Sequence, residues 1–473
     1  MTIMIFNSLT RQKEEFKPLV PDRVTIYTCG QTVYDDLHIG AARTYSNWDV
    51  IIRFLRYSGY DVLHVQNFTD VGHLTSDADT GEDKIAKRAK ERHIDPMELV
   101  ETQIRKYFQD TDDLNINRPN ISPRATQHIV EMQQLVKTLL DRNYAYETED
   151  TIYYDVSKFE DYGRMAGFKL EEQQAGARVD VDESKRNSYD FALWIRAPPE
   201  HLMKWESPWG LGYPGWHLEC SVMSMKYLGE TFDIHGGGID HLSIHHPNER
   251  AQSEGATGKP FARYWLHSNF LTMKKEKMSK STGKFITARE ATNKYGAGLV
   301  RFFLTQSHYR SPVDFTDDII DKLKPNYARI MTAIQGARMR LIAAETRADN
   351  PSTEALAAKE EFIAAMNDDF NFAVAWKALF ALTNHINKLV SDNKPDFAQL
   401  KTDFALYLEL LGVMGFIIPE SGLDDDLINL LIDLRQKARE KKDFEQADYI
   451  RSELNKLGVA LEDKPFGVLY RKE

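Results

Sequence analysis

Apolar residues in the first seventy positions follow two spacings in turn. Val24 and Ile26 begin a short β-rich segment that ends at Cys29–Gly30, whereas apolar residues from Ala41 to Leu55 recur at helical spacing. Asp61 to Phe68 is a second short apolar run of the kind that forms a buried strand. This order of strand, loop, helix and strand predicts an α/β fold with a parallel sheet.

The loop between the first strand and its helix, residues 31–41, is a candidate phosphate site. Ligands of open α/β sheets bind beyond the carboxyl ends of the strands, and the unpaired amide groups of a helix start attract anions. An ordinary β–α connection with a cysteine in the core would show the same residues. The pattern alone leaves both interpretations open.

The α/β pattern continues, is interrupted, and then resumes. Helices are predicted at 82–93, 96–114, from Ser122–Pro123 to 143, at 215–228 and at 245–256, with strands at 232–235 and 264–271 and a turn at Gly236–Gly238. Between Tyr144 and Met203 short β segments lie between charged loops. This interruption indicates a module inserted into the sheet domain.

The last third of the chain is almost wholly helical in its spacing. Two helices are predicted near Ala288 and Leu299, helical spacing extends from Asp317 to Met414, and the tail has two charged helices and a short strand at 467–470. We therefore predict a split Rossmann-like parallel-sheet domain with an inserted module, followed by a helical bundle and a small C-terminal domain. The predicted boundaries are 1–118 and 205–262 for the two halves of the sheet domain, 119–204 for the insert, 263–318 for a region with a lysine-rich loop, 319–420 for the bundle and 421–473 for the terminal domain.

Composition narrows the class of protein. The chain has 473 residues, of which 42% are hydrophobic and 28% charged, and no run approaches the ~20 apolar residues of a membrane span. We expect no membrane association and a cytoplasmic location, because the first residues lack a secretory signal. The net charge of −11 does not by itself indicate nucleic-acid binding, although a local basic stripe would suffice.

Four residues scattered along the chain form a candidate metal site. The two cysteines, Cys29 and Cys220, are far apart, which argues against a disulfide scaffold, and His245 and Glu249 share one helix face at i, i+4 spacing. If the fold brings them together, these donors suit tetrahedral zinc. Two other interpretations stay open, namely buried structural cysteines beside a surface His–Glu pair, and a Cys29 nucleophile activated by a histidine.

Several short motifs resemble one enzyme family. HIGA at 38–41 and KMSKS at 277–281 look like the two signatures of class I aminoacyl-tRNA synthetases. Together with TCGQTVYD at 28–35, PGWHLEC at 214–220, HGGGID at 235–240 and HHPNE at 245–249, they make the chain similar to the cysteinyl-tRNA synthetases over essentially its whole length. The resemblance implies activation of cysteine with ATP and Mg²⁺, transfer to tRNA(Cys), and a monomer.

The resemblance also implies roles for particular residues. One zinc ion would be held by Cys29, Cys220, His245 and Glu249 and would bind the sulfur of the substrate. The predicted catalytic residues are His38, Lys277 and Lys280, the predicted ATP contacts are His38, Gly40, His235, Gly236, Gly237 and Lys280, and the predicted cysteine contacts are Cys29, Gly30, Thr69, Trp216 and Asp240. The glycine run has a simpler explanation as a turn.

The C-terminal part corresponds to the bundle and anticodon-binding domain of that family. Phe466, Tyr470 and Arg471 are candidates for reading single-stranded anticodon bases, or they pack the small domain. The sequence departs from the family pattern at Ala41, where a second histidine is common, and in the long loop 72–83 before Lys84.

Two rival functions remain from the sequence. One is an ATP-dependent ligase that joins cysteine to an amino sugar, and such enzymes lack the tail that 317–473 provides here. The other is a non-catalytic tRNA-binding paralogue, against which the intact His38, Lys277, Lys280 and zinc-ligand positions argue.

Overall fold

The computed structural model describes residues 2–72, 74, 82–167, 184–199, 201–273, 276–277, 285–341, 348–394, 396–419, 423–464 and 467–472. The chain forms two compact units, Met1–Thr316 with Ala365–Phe372, and Asp317–Ala364 with Ala373–Glu473. Among the described residues, none of the helices is long and apolar enough to cross a membrane.

The described strands are β1 (Met4–Asn7), β2 (Gln12–Glu15), β3 (Arg23–Thr32), β4 (Asp61–Thr69), β5 (Ala145–Glu147), β6 (Thr151–Tyr154), β7 (Phe191–Arg196), β8 (Gly212–Pro214), β9 (Phe232–Gly238), β10 (Ala262–Ser268), β11 (Leu271–Met273), β12 (Glu276–Lys277), β13 (Val313–Asp314), β14 (Val459–Lys464) and β15 (Gly467–Lys472).

The described α-helices are α1 (Ile39–Tyr57), α2 (Lys84–Arg92), α3 (Pro96–Asp113), α4 (Ile129–Asp141), α5 (Trp216–Leu228), α6 (His245–Thr257), α7 (Ala288–Tyr295), α8 (Ala297–Thr305), α9 (Asp317–Leu341), α10 (Thr353–Asn367), α11 (Phe372–Ser391), α12 (Phe397–Val413), α13 (Leu423–Glu440) and α14 (Phe444–Lys456).

A four-stranded parallel sheet lies at the centre of the first unit. Its order is β10-β9-β3-β4, and the pairing of β3 with β9 joins the two halves of the chain that flank the insert. The strands are largely buried, as expected for a parallel sheet covered on both faces. The split parallel-sheet fold predicted from the sequence is confirmed.

The inserted region forms its own antiparallel sheet, in the order β5-β6-β7-β8. The helix that was predicted to begin at Ser122–Pro123 is wrong at its start. The carbonyl of Pro123 accepts a hydrogen bond from the amide of Phe68 at 2.8 Å, so this stretch runs beside β4. A 3-10 turn at Ala125–His128 follows, and only then does α4 begin.

The glycine run 236–238 is strand, contrary to the predicted turn. All three glycines pair with β10, from Gly236 opposite Leu266 to Gly238 opposite Ser268. A Cβ on Gly237 would lie 2.7 Å from ring atoms of His241 and His246. These glycines therefore serve close packing against side chains rather than a reversal of the chain.

The strand predicted at 264–271 is interrupted after Ser268. The chain then enters a small mixed sheet. Its order is β12-β11-β13, with β11 antiparallel to β12 and parallel to β13. Thr272 is paired with Lys277, so the backbone of the lysine-rich signature begins on this sheet. Lys280 lies outside the described residues.

The second unit is helical and ends in a small α/β tail. The helices predicted between 317 and 414 are confirmed as α9 to α12. The tail has α13, α14 and an antiparallel hairpin of β14 with β15, where the sequence predicted one strand. Tyr470 is 6% exposed in the tail's hydrophobic core, which supports the packing interpretation, while Phe466 lies outside the described residues and only the backbone of Arg471 is described.

Candidate metal centre and adjoining cleft

Four buried side chains from three elements converge at the carboxyl end of the central sheet. Cys29 lies near the end of β3, Cys220 lies on α5, and His245 and Glu249 lie one turn apart on α6. One ligand atom from each lies within 4.8 Å of the others. The structure thus brings together all four residues that the sequence proposed as metal ligands.

The separations suit a shared cation. His245 Nε2 is 3.0 Å from Glu249 Oε1, and Cys29 Sγ is 3.7 Å from the same oxygen. Ligand atoms about 2.0–2.3 Å from a tetrahedral zinc ion are separated from one another by distances of this order. The donors fit a metal ion of the zinc type by both number and chemistry.

The charges of these groups also favour a bound cation. Burial would raise the pKa of Glu249, but His235 and His245 lower it well below its usual range. Burial opposes the charge on His245, but Glu249 and Cys220 raise its pKa to about 10. Burial likewise opposes the Cys220 thiolate, but a hydrogen bond with Cys29 and the nearby His245 lower its pKa to about 6. Glu249 and Cys220 are therefore anionic donors. Burial and the hydrogen bond with Cys220 raise the pKa of the Cys29 thiol well above its usual range, so Cys29 and His245 would release protons when a metal binds.

Further histidines surround the ligands, and the sequence did not assign them this role. His246 Nε2 is 3.3 Å from Cys29 Sγ, and His217 Nδ1 is 2.7 Å from His245 Nδ1. Cys29, His235, His246 and Glu249 form a second group of potential ligand atoms within 4.8 Å. The signal in the sequence was that His217 and His246 each directly adjoin a residue already singled out.

An open cleft adjoins the metal centre and has a volume of about 310 Å³. Its lining includes Cys29, Gly30, His38, Gly40 and Asp240, which are five of the residues proposed for binding cysteine or ATP. On the other side it is lined by Ser268 to Leu271. One opening therefore reaches both the candidate metal ligands and the start of α1.

His38 is the N-cap of α1. Its backbone is extended, with φ −83° and ψ 151°, and its Nδ1 accepts a hydrogen bond from the amide of Ala41 at 3.0 Å. This bond satisfies one amide of the helix start and fixes the ring. The exposed imidazole stands beside the helix end that favours phosphate groups.

Trp216 contacts a candidate metal ligand and Thr69 contacts Asn67, and neither is among the described residues that line the cleft. The Trp216 ring centroid is 4.4 Å from that of His245, so the indole forms a wall of the site. Thr69 is buried at the end of β4, where its hydroxyl accepts a hydrogen bond from Asn67 Nδ2 at 3.2 Å. Asn67 Oδ1 also accepts from the Gly30 amide at 2.8 Å, and this organising residue was not recognised in the sequence.

Three residues proposed for ATP are placed elsewhere. His235 is fully buried, and its Nε2 contacts Glu249 Oε2 at 2.7 Å. Gly236 and Gly237 are buried within β9 and are absent from the described cleft lining. The imidazole of His235 thus lies against a candidate metal ligand, and its contact with the nucleotide stays a prediction.

Comparison with known families agrees with this arrangement. Residues 15–325 match the model of the tRNA synthetases class I (C) catalytic domain, residues 361–418 match a DALR domain, and residues 423–471 match the cysteinyl-tRNA ligase anticodon binding domain.

Individual relatives and solved structures are similar as well. A cysteine–tRNA ligase from Thermococcus gammatolerans is 45% identical over 100% of this chain and 99% of its own, and one from Thermus thermophilus is 44% identical over 100% of both. A methionyl-tRNA synthetase from Mycobacterium tuberculosis, solved with methionyl-adenylate, shares the fold with a TM-score of 0.62 at 17% identity, covering 87% of this chain and 94% of its own. The chain belongs to the cysteine–tRNA ligase family of class I aminoacyl-tRNA synthetases.

Proposed function

We propose that the protein attaches cysteine to tRNA(Cys) in two steps. The carboxylate of cysteine attacks the α-phosphate of ATP, giving cysteinyl-adenylate and pyrophosphate, and a terminal ribose hydroxyl of the tRNA then takes the cysteinyl group and releases AMP. One observation carries this proposal: the convergence of Cys29, Cys220, His245 and Glu249 beside the cleft that His38 and Gly40 line.

The four converging residues would hold a zinc ion, consistent with their geometry and charge. When bound, zinc supplies a soft acceptor for the thiolate of substrate cysteine and lowers the pKa of that thiol. Serine offers a harder hydroxyl that stays protonated. A site built around one partner group rejects an analogue that lacks the group by large factors, so selection would need no editing domain.

Protein side chains would orient the rest of the cysteine. Trp216, whose ring is tilted by 39° against that of His245, would limit the room beside the sulfur. Asp240, which lines the cleft, and Thr69 are proposed to contact the amino and carboxylate end. Gly30 lines the same cleft through its backbone. These contacts would align the carboxylate for attack, and alignment is a major contribution to such reactions.

Phosphoryl transfer depends mainly on positioning and charge neutralisation. His38 would contact the phosphates from the start of α1, with Gly40 allowing close approach. Lys277 and Lys280 would neutralise the charge that develops on the leaving pyrophosphate, together with Mg²⁺. The match of residues 423–471 supports tRNA(Cys) as the acceptor, and we expect the protein to act as a monomer.

Charging of tRNA with radiolabelled cysteine tests the function directly. We expect cysteine-dependent exchange of pyrophosphate into ATP and formation of cysteinyl-tRNA. Adenylate formation without transfer to tRNA would instead favour a ligase that joins cysteine to an amino sugar. A folded, metal-loaded sample with no exchange would favour a non-catalytic tRNA-binding protein.

The metal assignment has its own test in elemental analysis. We expect one zinc per chain, largely lost in Cys220→Ala, because three donors bind more weakly than four. Ser224→Ala, at a fully buried position one turn further along the same helix, is the matched control and should keep its zinc. Full zinc in Cys220→Ala would contradict the assignment. Lys280→Ala should retain zinc but lose most of its activation rate.

A further inference from the structure

Arg43 is a fully buried arginine on α1, five residues after His38. Its guanidinium donates to oxygens that come from two separate segments. Nη1 contacts the carbonyls of Asn269 at 2.5 Å and Phe270 at 3.4 Å, and Nη2 contacts the carbonyls of His308 at 3.2 Å and Ser311 at 2.7 Å and the hydroxyl of Ser307 at 3.4 Å. One side chain thus binds five oxygen atoms.

These two segments lead into neighbouring strands of the small mixed sheet. Asn269 and Phe270 directly precede β11, and Ser311 lies two residues before β13. The strands β11 and β13 are paired in parallel, and β11 also pairs with β12, where Thr272 lies opposite Lys277. Arg43 therefore fastens the base of the sheet on which the lysine signature begins.

The same contacts join two walls of the cleft. Asn269 and Phe270 line one wall, and His38, Gly40 and Ala41 line the other at the start of α1. Because Arg43 projects from α1 and binds the carbonyls of Asn269 and Phe270, its guanidinium sets the distance between the walls. A planar guanidinium with several fixed donors suits this task, whereas an ammonium does not span the same oxygens.

Burying a charged side chain that has no acidic partner costs free energy. An apolar side chain would fill the same space without that cost. Among the described residues, no carboxylate forms an ion pair with Arg43, and burial lowers its pKa only to about 10, so it stays charged at neutral pH. Arg301 is a useful contrast, because it is equally buried but pairs with the carboxylate of Asp49 at 2.6 Å.

We propose that Arg43 is a positioning residue for ATP activation. It holds Asn269 and Phe270, which lead into β11, against α1, so that these residues and His38 keep the spacing across the cleft that ATP requires. This inference rests on the proposed function, since it concerns the geometry of that reaction. The contacts described for Arg43 include none of the four candidate metal ligands, so we expect its replacement to leave zinc binding unchanged.

The test compares Arg43→Met and Arg43→Lys with the control Arg301→Met. Misplacement by about 1 Å can cost about 100-fold in rate, so we expect a loss of that order in cysteine-dependent pyrophosphate exchange for Arg43→Met, with a raised KM for ATP. Zinc content should match the unaltered protein, and the KM for cysteine should change less than the KM for ATP. Arg43→Lys should restore little, because one ammonium cannot bind five oxygens.

The control separates positioning from stability. Arg301→Met should lower the melting temperature by a similar amount yet keep its KM for ATP. Equal effects of Arg43→Met and Arg301→Met on exchange, or an unchanged KM for ATP in Arg43→Met, would overturn the proposal, as would failure of both Arg43 variants to fold. If the unaltered protein shows no cysteine-dependent exchange, it is the proposed function that fails.

Discussion

His235 Nε2 lies 2.7 Å from Glu249 Oε2, and both side chains are fully buried. The other oxygen of Glu249 faces His245 Nε2 at 3.0 Å. One carboxylate is therefore held from both sides, by a histidine of β9 and by a histidine of its own helix. Such outer contacts orient metal ligands and commonly affect metal affinity by 10–100-fold.

The position of His235 predicts a defect in metal binding rather than in ATP binding. In His235→Ala the Glu249 carboxylate loses one partner and its fixed orientation. We expect zinc affinity to fall about 10–100-fold and the KM for cysteine to rise, with the KM for ATP near that of the unaltered protein. Zinc titration with a competing chelator and steady-state exchange kinetics measure these quantities.

The opposite result would support the ATP contact that was predicted for His235 from the sequence. If His235→Ala keeps its zinc under chelator and shows a raised KM for ATP, then this histidine acts on the nucleotide. Adding excess zinc offers a further check, because a loss of affinity should be partly rescued by metal whereas a lost ATP contact should not.

His38 has two separable tasks, and two substitutions distinguish them. Asn at this position can still accept the Ala41 amide as an N-cap, whereas Ala cannot and should cost about 1 kcal/mol of stability. If the imidazole also contacts phosphate, both His38→Asn and His38→Ala should lose most of their activation rate while keeping zinc. Thermal melts and pyrophosphate exchange measured on the same samples make the comparison.

An outcome in which His38→Asn retains full exchange activity would limit His38 to capping. Ala41 makes this experiment informative, since the second histidine common at that position is missing here. The variant Ala41→His is a natural companion, and a gain in exchange rate would show that the missing ring limits activation in this protein.

Gly30 is required by the close approach of β3 to β4. A Cβ on this residue would lie 1.6 Å from the carbonyl oxygen of Asn67, at a point where the register of the two strands shifts. Gly30→Ala should therefore distort both Cys29 and the Asn67 contact, with loss of zinc and of soluble protein. Gly258→Ala, at an exposed helix end with φ +72°, is a control for the general cost of replacing glycine. Normal zinc content in Gly30→Ala would contradict the close approach.

Much of this arrangement could be predicted from local spacing. The i, i+4 relation of His245 and Glu249 follows from helix geometry alone, and Cys29 at the end of a strand is placed by the rule for parallel sheets. Each of these residues could be placed once its own helix or strand had been predicted. Spacing therefore made these three residues candidates, whereas the resemblance to the family favoured zinc binding by the set of four that includes Cys220.

The remainder depends on distances between segments far apart in sequence. Asn67, His217 and His246 contact partners on other elements. His217 and His246 adjoin residues already singled out, but that adjacency does not reveal which partners they contact. The glycine run was ambiguous because a turn and a tightly packed strand both require glycine. The helix start at Ser122–Pro123 was wrong because the bond from Phe68 outweighed a local capping signal.

The pH dependence of the free energy of unfolding tests the environment of His64, which lies on β4 of the central sheet. His64 on β4 is 6% exposed, and its Nε2 is 2.8 Å from Thr28 Oγ1. Burial, assisted by Arg56, lowers the pKa of His64 to about 3. The folded state therefore keeps this ring neutral while the unfolded chain takes up a proton below about pH 6.5. Stability from this group is present above pH 6.5 and is lost as the pH falls toward 3.

Between pH 7 and pH 5 the loss attributable to His64 should be about 2 kcal/mol, from the unfolded and folded pKa values. The variant His64→Gln, whose amide can still reach Thr28, lacks this titration and should lose about that much less over the same interval. Urea unfolding at both pH values measures the difference, and His93→Asn removes an exposed histidine as the control.

An equal loss in His64→Gln and in the unaltered protein would mean that His64 is protonated in the folded state. The hydrogen bond to Thr28, one residue before Cys29, would then have to be reinterpreted, because a protonated ring could only donate to that hydroxyl.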